Sequence, residues 1–113
     1  MPEIRLPEVS SETVQGTCVA IGGRAVLIEG RSGEGKSDLA LRLIDRGAAL
    51  VSDGQVICQR QDGGLIACAP AHLAGRIEVR GLGIVEMSNV ERVPVALLIV
   101  IPDAPPRYPE DVR

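Results

Sequence analysis

The stretch Gly30-Arg31-Ser32-Gly33-Glu34-Gly35-Lys36-Ser37 decides the fold of this chain, because it matches G-x-x-x-x-G-K-[ST] at every fixed position. Its glycines let successive backbone N–H groups point inward around an anion, a conformation closed to residues whose Cβ would clash. Lys36 adds a full charge for the β- and γ-phosphates, and Ser37 is placed to give its hydroxyl to Mg²⁺. The motif predicts a phosphate loop (P-loop) that binds a nucleoside triphosphate with Mg²⁺.

The segments on either side of this loop support that interpretation over a glycine-rich turn without a ligand. Residues 24–29, which contain the apolar run 25–28, are typical of a strand. Residues 37–46 carry Leu39, Ala40, Leu43 and Ile44 at helical spacing, and Gly47 follows as a stop signal. A strand, a loop and a helix N-terminus in this order are what phosphate binding requires.

The rest of the chain predicts mainly strands separated by glycine-containing turns. The expected strands are 17–21, 24–29, 48–51, 55–60, 65–69, 76–80, 84–87 and 94–101. Two hairpins are expected, one joining 17–21 to 24–29 and the other joining 55–60 to 65–69. The unbroken apolar run of 94–101 predicts a central strand that is buried on both faces. Residues 1–13 are expected to form a flexible arm, 14–102 one domain and 103–113 a proline-rich tail. The fold class is therefore α/β, with a mostly β mixed sheet and one main helix after the P-loop.

Composition excludes several classes of protein. A chain of 113 residues fits one domain, and its 45% hydrophobic but 1% aromatic content suits a core of aliphatic side chains. A net charge of -3 and a single aromatic residue, Tyr108, argue against a nucleic-acid partner. The N-terminus has no apolar signal segment, and no apolar run approaches the ~20 residues of a membrane span. We therefore expect a cytoplasmic protein with no membrane partner.

The three cysteines, Cys18, Cys58 and Cys68, are widely spaced. This spacing fits neither a disulfide framework nor a zinc site with paired Cys-x-x-Cys motifs. His72, the only histidine, lies in a loop-like stretch and is expected at the surface. The cysteines are best interpreted as small apolar residues in or beside strands.

Two carboxylates could serve phosphate chemistry. Asp53 is expected to end the strand that follows the P-loop helix, where an α/β sheet presents groups to ligands. The alternative for Asp53 is an Asx turn with Gly54. Glu78 alternates with Ile77 in a strand, and its alternative is a solvated surface pair with Arg80. The glycines of Gly81-Leu82-Gly83 favour a functional role, because they let backbone amides approach a phosphate or a partner.

Together these segments resemble the catalytic domain of bacterial HPr kinase/phosphorylase, in the short form without a separate N-terminal domain. The resemblance runs from about Gly16 to about Ile101. It rests on residues 21–28, the P-loop, 38–47, Val51-Ser52-Asp53, Ala69-Pro70 and above all Ile77-Glu78-Val79-Arg80-Gly81-Leu82-Gly83-Ile84. It implies a fold like that of phosphoenolpyruvate carboxykinase and an ATP-dependent serine kinase that phosphorylates HPr, a phosphocarrier of the sugar phosphotransferase system. It also implies a possible reverse phosphorolysis and a homo-oligomer, a hexamer in longer relatives.

The resemblance also implies roles for individual residues. The P-loop, Gly30, Arg31, Ser32, Gly33, Glu34, Gly35, Lys36 and Ser37, would hold ATP, while Ser37 and Glu78 would hold Mg²⁺. Asp53, assisted by Lys36 at the phosphates, would act as the acid/base, and Arg80, Gly81 and Gly83 would contact phosphate or the partner protein. Relatives usually carry a second aspartate where this chain has Gly54, and a histidine where it has Gln15.

Three functions are therefore compared. The leading hypothesis is an HPr serine kinase that uses ATP and Mg²⁺. A nucleotide-binding regulatory module derived from such kinases is the alternative, because Gly54 lacks the second carboxylate. A small-molecule kinase is disfavoured, since the sequence shows neither a lid segment nor a substrate pocket.

Overall fold

The computed structural model describes residues 11–30 and 34–102. This part of the chain contains seven strands, one α-helix and one short 3-10 turn at Ala71–Leu73. The strands are β1 (Ser11–Ile21), β2 (Arg24–Glu29), β3 (Ala49–Gln61), β4 (Gly64–Cys68), β5 (Arg76–Val79), β6 (Gly83–Glu86) and β7 (Val93–Val100), and the helix is α1 (Glu34–Asp45). The expected α/β class with mostly strands and one main helix is confirmed.

Five strands close into a barrel in the order β1-β2-β7-β4-β3, and β5 and β6 form a separate two-stranded sheet. β2 and β7 are parallel, whereas the other strand pairs of the barrel are antiparallel, so the sheet is mixed. The register of β1 on β3 pairs Thr17 with Asp53. That pair lies beside the end of β2 from which the P-loop starts.

Two apolar clusters stabilise this arrangement. The first fills the barrel with small and branched side chains, namely Cys18, Ala20, Ala25, Leu27, Val51, Val56, Cys58, Ala67 and Val93. The second lies outside the barrel wall, where Ala40 of α1 and Ile77 of β5 pack against Val19, Val26, Ile28 and Leu50. Alternate residues of β1 and β2 enter opposite clusters, as the period of a strand requires. The second cluster holds α1 and the β5-β6 sheet against the same face of the barrel.

The helix begins earlier and ends one residue earlier than the sequence pattern predicts. α1 covers Glu34–Asp45 instead of 37–46, so the last residues of the P-loop already have helical backbone. At the C-terminal end, Ala48 N–H donates to Leu43 O and Gly47 N–H donates to Ile44 O, both at 3.0 Å. This is the Schellman pattern, and Gly47 supports it with a φ of 110°.

Both predicted hairpins are present. Gly22 and Gly23 have φ values of 59° and 79°, which suits a two-residue turn whose twist matches that of the strands. Asp62 and Gly63, at 51° and 80°, play the same part between β3 and β4. These turns are specified locally, since they need positive φ at adjacent positions.

Three expectations about strands are corrected. The predicted strands 48–51 and 55–60 are one strand, β3, without a break at Ser52-Asp53-Gly54, because β1 pairs with it from Ala49 to Gln59 and β4 pairs with it from Ile57 to Gln61. β1 begins at Ser11, so residues 11–13 of the expected flexible arm are paired strand, while 1–10 and the 103–113 tail lie outside the described residues. β7 lies between β2 and β4 in the barrel, but the C-terminal half of β7 is not buried. Leu97, Leu98 and Val100 are 53%, 50% and 62% exposed.

The C-terminal half of β7 is exposed because β7 pairs with one neighbouring strand over a longer segment than with the other. Five residues of β2 pair with β7, whereas β4 pairs only with Val93 and Pro94. An apolar run therefore predicted a strand correctly but not its burial. Among the helices in the described ranges, none combines the length and apolar character needed to cross a membrane.

Candidate functional site

The P-loop leaves the barrel at the end of β2 and enters α1. Gly30 is required at its start, because a Cβ there would lie 2.9 Å from the backbone O of Ile101. The chain after β7 is held at this point by Ile101 N–H, which donates to Glu29 O at 2.8 Å. Residues 31–33, predicted to hold phosphate, lie outside the described residues, whereas Glu34 begins α1. The strand, loop and helix order that the motif predicts is therefore present.

The first turn of α1 carries the charge and the hydroxyl of the motif. Lys36 is 6% exposed and is the single lysine of the sequence. Backbone N–H groups at a helix N-terminus and a neighbouring ammonium group both favour an anion, so the position of Lys36 suits a phosphate ligand. Ser37, next to it, is partly buried and points its hydroxyl at β3.

Asp53 is the centre of the hydrogen-bond network of the site. Its Oδ1 accepts from the hydroxyls of Thr17 and Ser37, each at 2.8 Å, and its Oδ2 accepts from the backbone N–H of Glu78 at 3.0 Å. The three donors come from β1, α1 and β5. One carboxylate therefore joins the barrel, the P-loop helix and the β5-β6 sheet.

The Asx turn that was the alternative for Asp53 is not what this carboxylate does, because its hydrogen bonds go to distant elements. The local turn belongs instead to Ser52, whose hydroxyl donates to Gln55 O at 2.6 Å. Gly54 lies between Ser52 and Gln55 with a φ of 106°, a conformation that residues with a Cβ rarely adopt. Asp53 is thus placed within a long strand and not at a strand end.

The β5-β6 sheet brings the second predicted group of residues to the P-loop. A cavity of about 780 Å³ lies between α1 and the β5-β6 sheet. It is lined by Gly35, Ser37, Asp38 and Leu41 of α1 and by Glu78, Val79, Arg80, Gly81 and Gly83. Glu78 is exposed and faces this space from β5. Gly81 and Gly83 turn the chain with φ values of 85° and 94°. Glu78 and Arg80 therefore lie at the same cavity as Ser37, not at a remote edge of the sheet.

The sequence pattern did not single out Thr17. It is fully buried within residues 16–20, the buried part of β1, and a buried hydroxyl there requires a hydrogen-bond partner. That requirement is the one signal that could have marked it. Its partner, Asp53, is 36 residues away, so the pairing follows only from the register of β1 on β3.

These residues suit a triphosphate with Mg²⁺ better than a metal held by protein alone. No group of three or more His, Cys, Asp or Glu side chains in 11–30 and 34–102 is arranged to hold a metal ion. Mg²⁺ in nucleotide sites typically uses one or two protein ligands and takes its other ligands from phosphates and water. Ser37 and Glu78, which line the same cavity beside the first turn of α1, match that pattern.

The cysteines keep the structural role expected of them. All three are free thiols, and Cys18 and Cys58 are buried in the barrel cluster. Burial, reinforced by the neighbouring Cys58, raises the pKa of Cys18 to about 12. His72 is exposed in the 3-10 turn. Neither residue type contributes to the cavity beside the P-loop.

A protein family and several known proteins are similar in sequence to this chain. A family model described as the HPr Serine kinase C-terminal domain matches residues 8–91. The HPr kinase/phosphorylase of Clostridium botulinum is 40% identical over 89 residues, which are 79% of this chain and 27% of that protein. The HPr kinase/phosphorylase of Levilactobacillus brevis is 41% identical over 80 residues, 70% of this chain and 26% of that protein.

One solved structure is similar to this chain in both fold and sequence. The Hpr(Ser) kinase/phosphatase from Coxiella burnetii is similar with a TM-score of 0.71 and 32% identity, over 79% of this chain and 58% of that chain. The chain spans about a quarter of the length of the curated relatives it matches.

Proposed function

The chain belongs to the HPr serine kinase C-terminal domain family, and we propose that it is an ATP-dependent serine kinase that phosphorylates the phosphocarrier HPr. One observation carries this proposal. Asp53 accepts a hydrogen bond from the P-loop hydroxyl of Ser37 and another from Glu78 N–H at the wall of the neighbouring cavity. A carboxylate beside a phosphate loop is the type of group that removes the proton of an attacking hydroxyl, which supports the proposal.

The binding roles follow from the chemistry of each wall. Backbone N–H groups of residues 30–37 and the ammonium group of Lys36 would hold the triphosphate of ATP. The hydroxyl oxygen of Ser37 and the carboxylate of Glu78 would hold Mg²⁺. When bound, this ion would neutralise charge on the phosphates and fix their orientation.

Asp53 is the proposed acid/base. In the forward direction its carboxylate removes the proton of the HPr serine hydroxyl as the serine oxygen attacks the γ-phosphorus of ATP and ADP leaves. In the reverse phosphorolysis the same group returns a proton to the serine oxygen. Held by three donors, this half-buried carboxylate needs little rearrangement for either step.

Arg80, Gly81 and Gly83 form the outer wall of the cavity, where the acceptor protein would arrive. The guanidinium group of Arg80 suits phosphate, which it can contact through paired N–H donors. The exposed turn between β5 and β6 carries Leu82, which is 77% exposed, and thus offers an apolar contact beside a cation. We propose that this turn contacts HPr.

The direct test is incubation of the purified chain with ATP, Mg²⁺ and HPr, followed by intact-mass measurement of HPr. Gain of one phosphoryl group on a serine supports the kinase. Tight binding of Mg·ATP with no transfer would instead identify the regulatory module, which the glycine at position 54 favours. Consumption of ATP with metabolites in the absence of HPr would identify a small-molecule kinase.

Membership of this family also underlies our proposals for assembly and location. We propose a homo-oligomer, hexameric as implied by longer relatives, that acts in the cytoplasm on HPr. Light scattering of the purified protein gives the number of subunits, and cell fractionation gives the compartment. A monodisperse monomer that phosphorylates HPr would contradict the hexamer and leave the kinase intact.

A further inference from the structure

The buried hydroxyl of Thr17 touches the carboxylate that the proposed reaction uses. Thr17 is fully buried, and its Oγ1 lies 2.8 Å from Oδ1 of Asp53. Threonine in the buried part of a strand needs no hydroxyl for packing, since valine has nearly the same shape. The hydroxyl therefore contributes through the hydrogen bond that it makes, and that bond ends on Asp53.

The hydrogen bonds on Asp53 are distributed unequally between its two oxygens. An ionised carboxylate offers about four lone-pair sites, two on each oxygen. Oδ1 accepts from both Thr17 and Ser37, so its two sites are filled. Oδ2 accepts only from Glu78 N–H among the bonds described, at 3.0 Å. One acceptor site on Oδ2 is left for a further donor.

We propose that Thr17 is a positioning residue which, together with Ser37, occupies Oδ1 and so makes Oδ2 the oxygen that accepts the substrate proton. This inference rests on the proposed kinase function. The O–H bond of the HPr serine breaks, and its proton moves to the remaining lone pair of Oδ2. The serine oxygen forms a bond to the γ-phosphorus, while the bond from that phosphorus to the β-phosphate oxygen breaks. ADP leaves with the electron pair of that bond.

The contact also fixes the plane of the carboxylate. Ser37 is on α1 and Glu78 on β5, and both elements are held to the barrel by the outer apolar cluster. Thr17 is on the barrel wall itself, in register with Asp53 on the adjacent strand. It supplies the one donor that belongs to the same rigid sheet as the carboxylate. Loss of this donor frees Asp53 to rotate towards Ser37.

The test compares Thr17→Val, which removes the hydroxyl, with Thr17→Ser, which keeps it. Thr13→Val on the same strand is the matched control, since Thr13 is exposed and pairs with Ile57, away from the site. For each full-length chain the measurements are kcat and KM for HPr phosphorylation, the Kd of Mg·ATP and the melting temperature. Thr17→Ala is a second hydroxyl-free variant if Thr17→Val does not fold.

We expect Thr17→Val to lower kcat about tenfold or more, while the Kd of Mg·ATP changes by less than about threefold. Thr17→Ser should recover most of kcat, and Thr13→Val should match the wild type. The inference is overturned if a folded hydroxyl-free variant keeps the wild-type kcat, if Thr17→Ser is as impaired as Thr17→Val, or if Mg·ATP affinity falls in parallel with kcat. A wild-type chain that transfers no phosphate contradicts the proposed function itself, and the role of Thr17 fails with it.

Discussion

The hydroxyl of Ser37, in the first turn of the P-loop helix, donates a 2.8 Å hydrogen bond to Oδ1 of Asp53 in the middle of β3. Because the hydroxyl proton points at Asp53, the lone pairs of the serine oxygen remain available for a cation on the other side. The bond thereby ties the phosphate loop to the carboxylate over 16 residues of sequence. The proposed nucleotide binding and the proposed proton transfer would share this contact.

Asp53→Asn should abolish phosphate transfer while the protein still folds and binds nucleotide. The amide removes the base and cannot accept hydrogen bonds at both of its terminal atoms, so we expect kcat to fall by about 10² to 10⁴. Transfer of labelled phosphate from ATP to HPr measures the loss. Asp45→Asn, at the exposed end of α1, is the control and should keep full activity. An Asp53→Asn chain as active as the wild type would exclude Asp53 as the acid/base.

Lys36→Met should weaken binding of Mg·ATP by about tenfold or more, because a buried charge–phosphate contact is lost. Isothermal titration calorimetry measures this, with Arg42→Met as the control, since Arg42 lies on the exposed side of the same helix and pairs with Asp38 at 3.5 Å.

Lys36 also offers a chemical test, because it is the single lysine of the chain. Mg·ATP should protect its amino group from acetylation, which peptide mass spectrometry can follow separately from the N-terminal amine. Equal acetylation with and without Mg·ATP would place the nucleotide elsewhere.

Glu78→Gln should raise the concentration of Mg²⁺ needed for half-maximal activity, with little change in the activity reached at saturating metal. A neutral amide is a weaker ligand for a hard cation than a carboxylate. The backbone N–H of Glu78 that donates to Asp53 is unaffected by the substitution. Glu86→Gln is the matched control, since Glu86 lies on β6 in an exposed ion pair with Arg76. The same Mg²⁺ dependence in both variants would remove Glu78 from the metal site.

Gly54→Asp tests whether the second carboxylate of relatives can be restored. The φ of 106° at Gly54 is unfavourable for any residue with a Cβ, although the nearest atom, Leu73 Cδ1 at 3.8 Å, leaves space. We expect a loss of about 1 kcal/mol or more in the free energy of unfolding, from backbone strain and not from a clash. Urea denaturation measures it, with Gly54→Ala as the uncharged variant and Gly64→Ala as the control, because Gly64 lacks positive φ. An undiminished stability in Gly54→Ala would contradict the strain argument.

Stability should fall as the pH rises above about 9, in part because of Cys18. Its pKa is raised from 9.0 to about 12 by burial and by Cys58, so between these values the folded state holds a proton that the unfolded state has lost. Each such proton lowers the free energy of unfolding by at most about 1.4 kcal/mol per pH unit. Urea titrations between about pH 8 and about pH 10.5 should show a shallower decline for Cys18→Ala than for wild type or Cys68→Ala. Parallel declines in all three would exclude this contribution.

Parts of the structure could be predicted from the sequence because they depend on neighbouring residues. The P-loop, the helix after it, the two hairpins and the strand and turn at Ile77 to Gly83 were all predicted from residues close together in the chain. Asp53, Glu78, Arg80 and the glycines were also named in advance, and the structure brings them to one region of the molecule. Their catalytic and metal-binding roles stay predictions.

By itself, then, the sequence determined that a P-loop motif lies between a strand and a helix, because eight consecutive residues and the segments beside them carry that pattern. Only the tertiary structure decided that β3 runs through Asp53 and that Thr17 and Glu78 N–H hold its carboxylate. It also decided that the C-terminal half of β7 is exposed. Each of these depends on strand pairing between distant segments. The side-chain pattern of one strand specifies which of its residues share a face, but not which strand lies beside it.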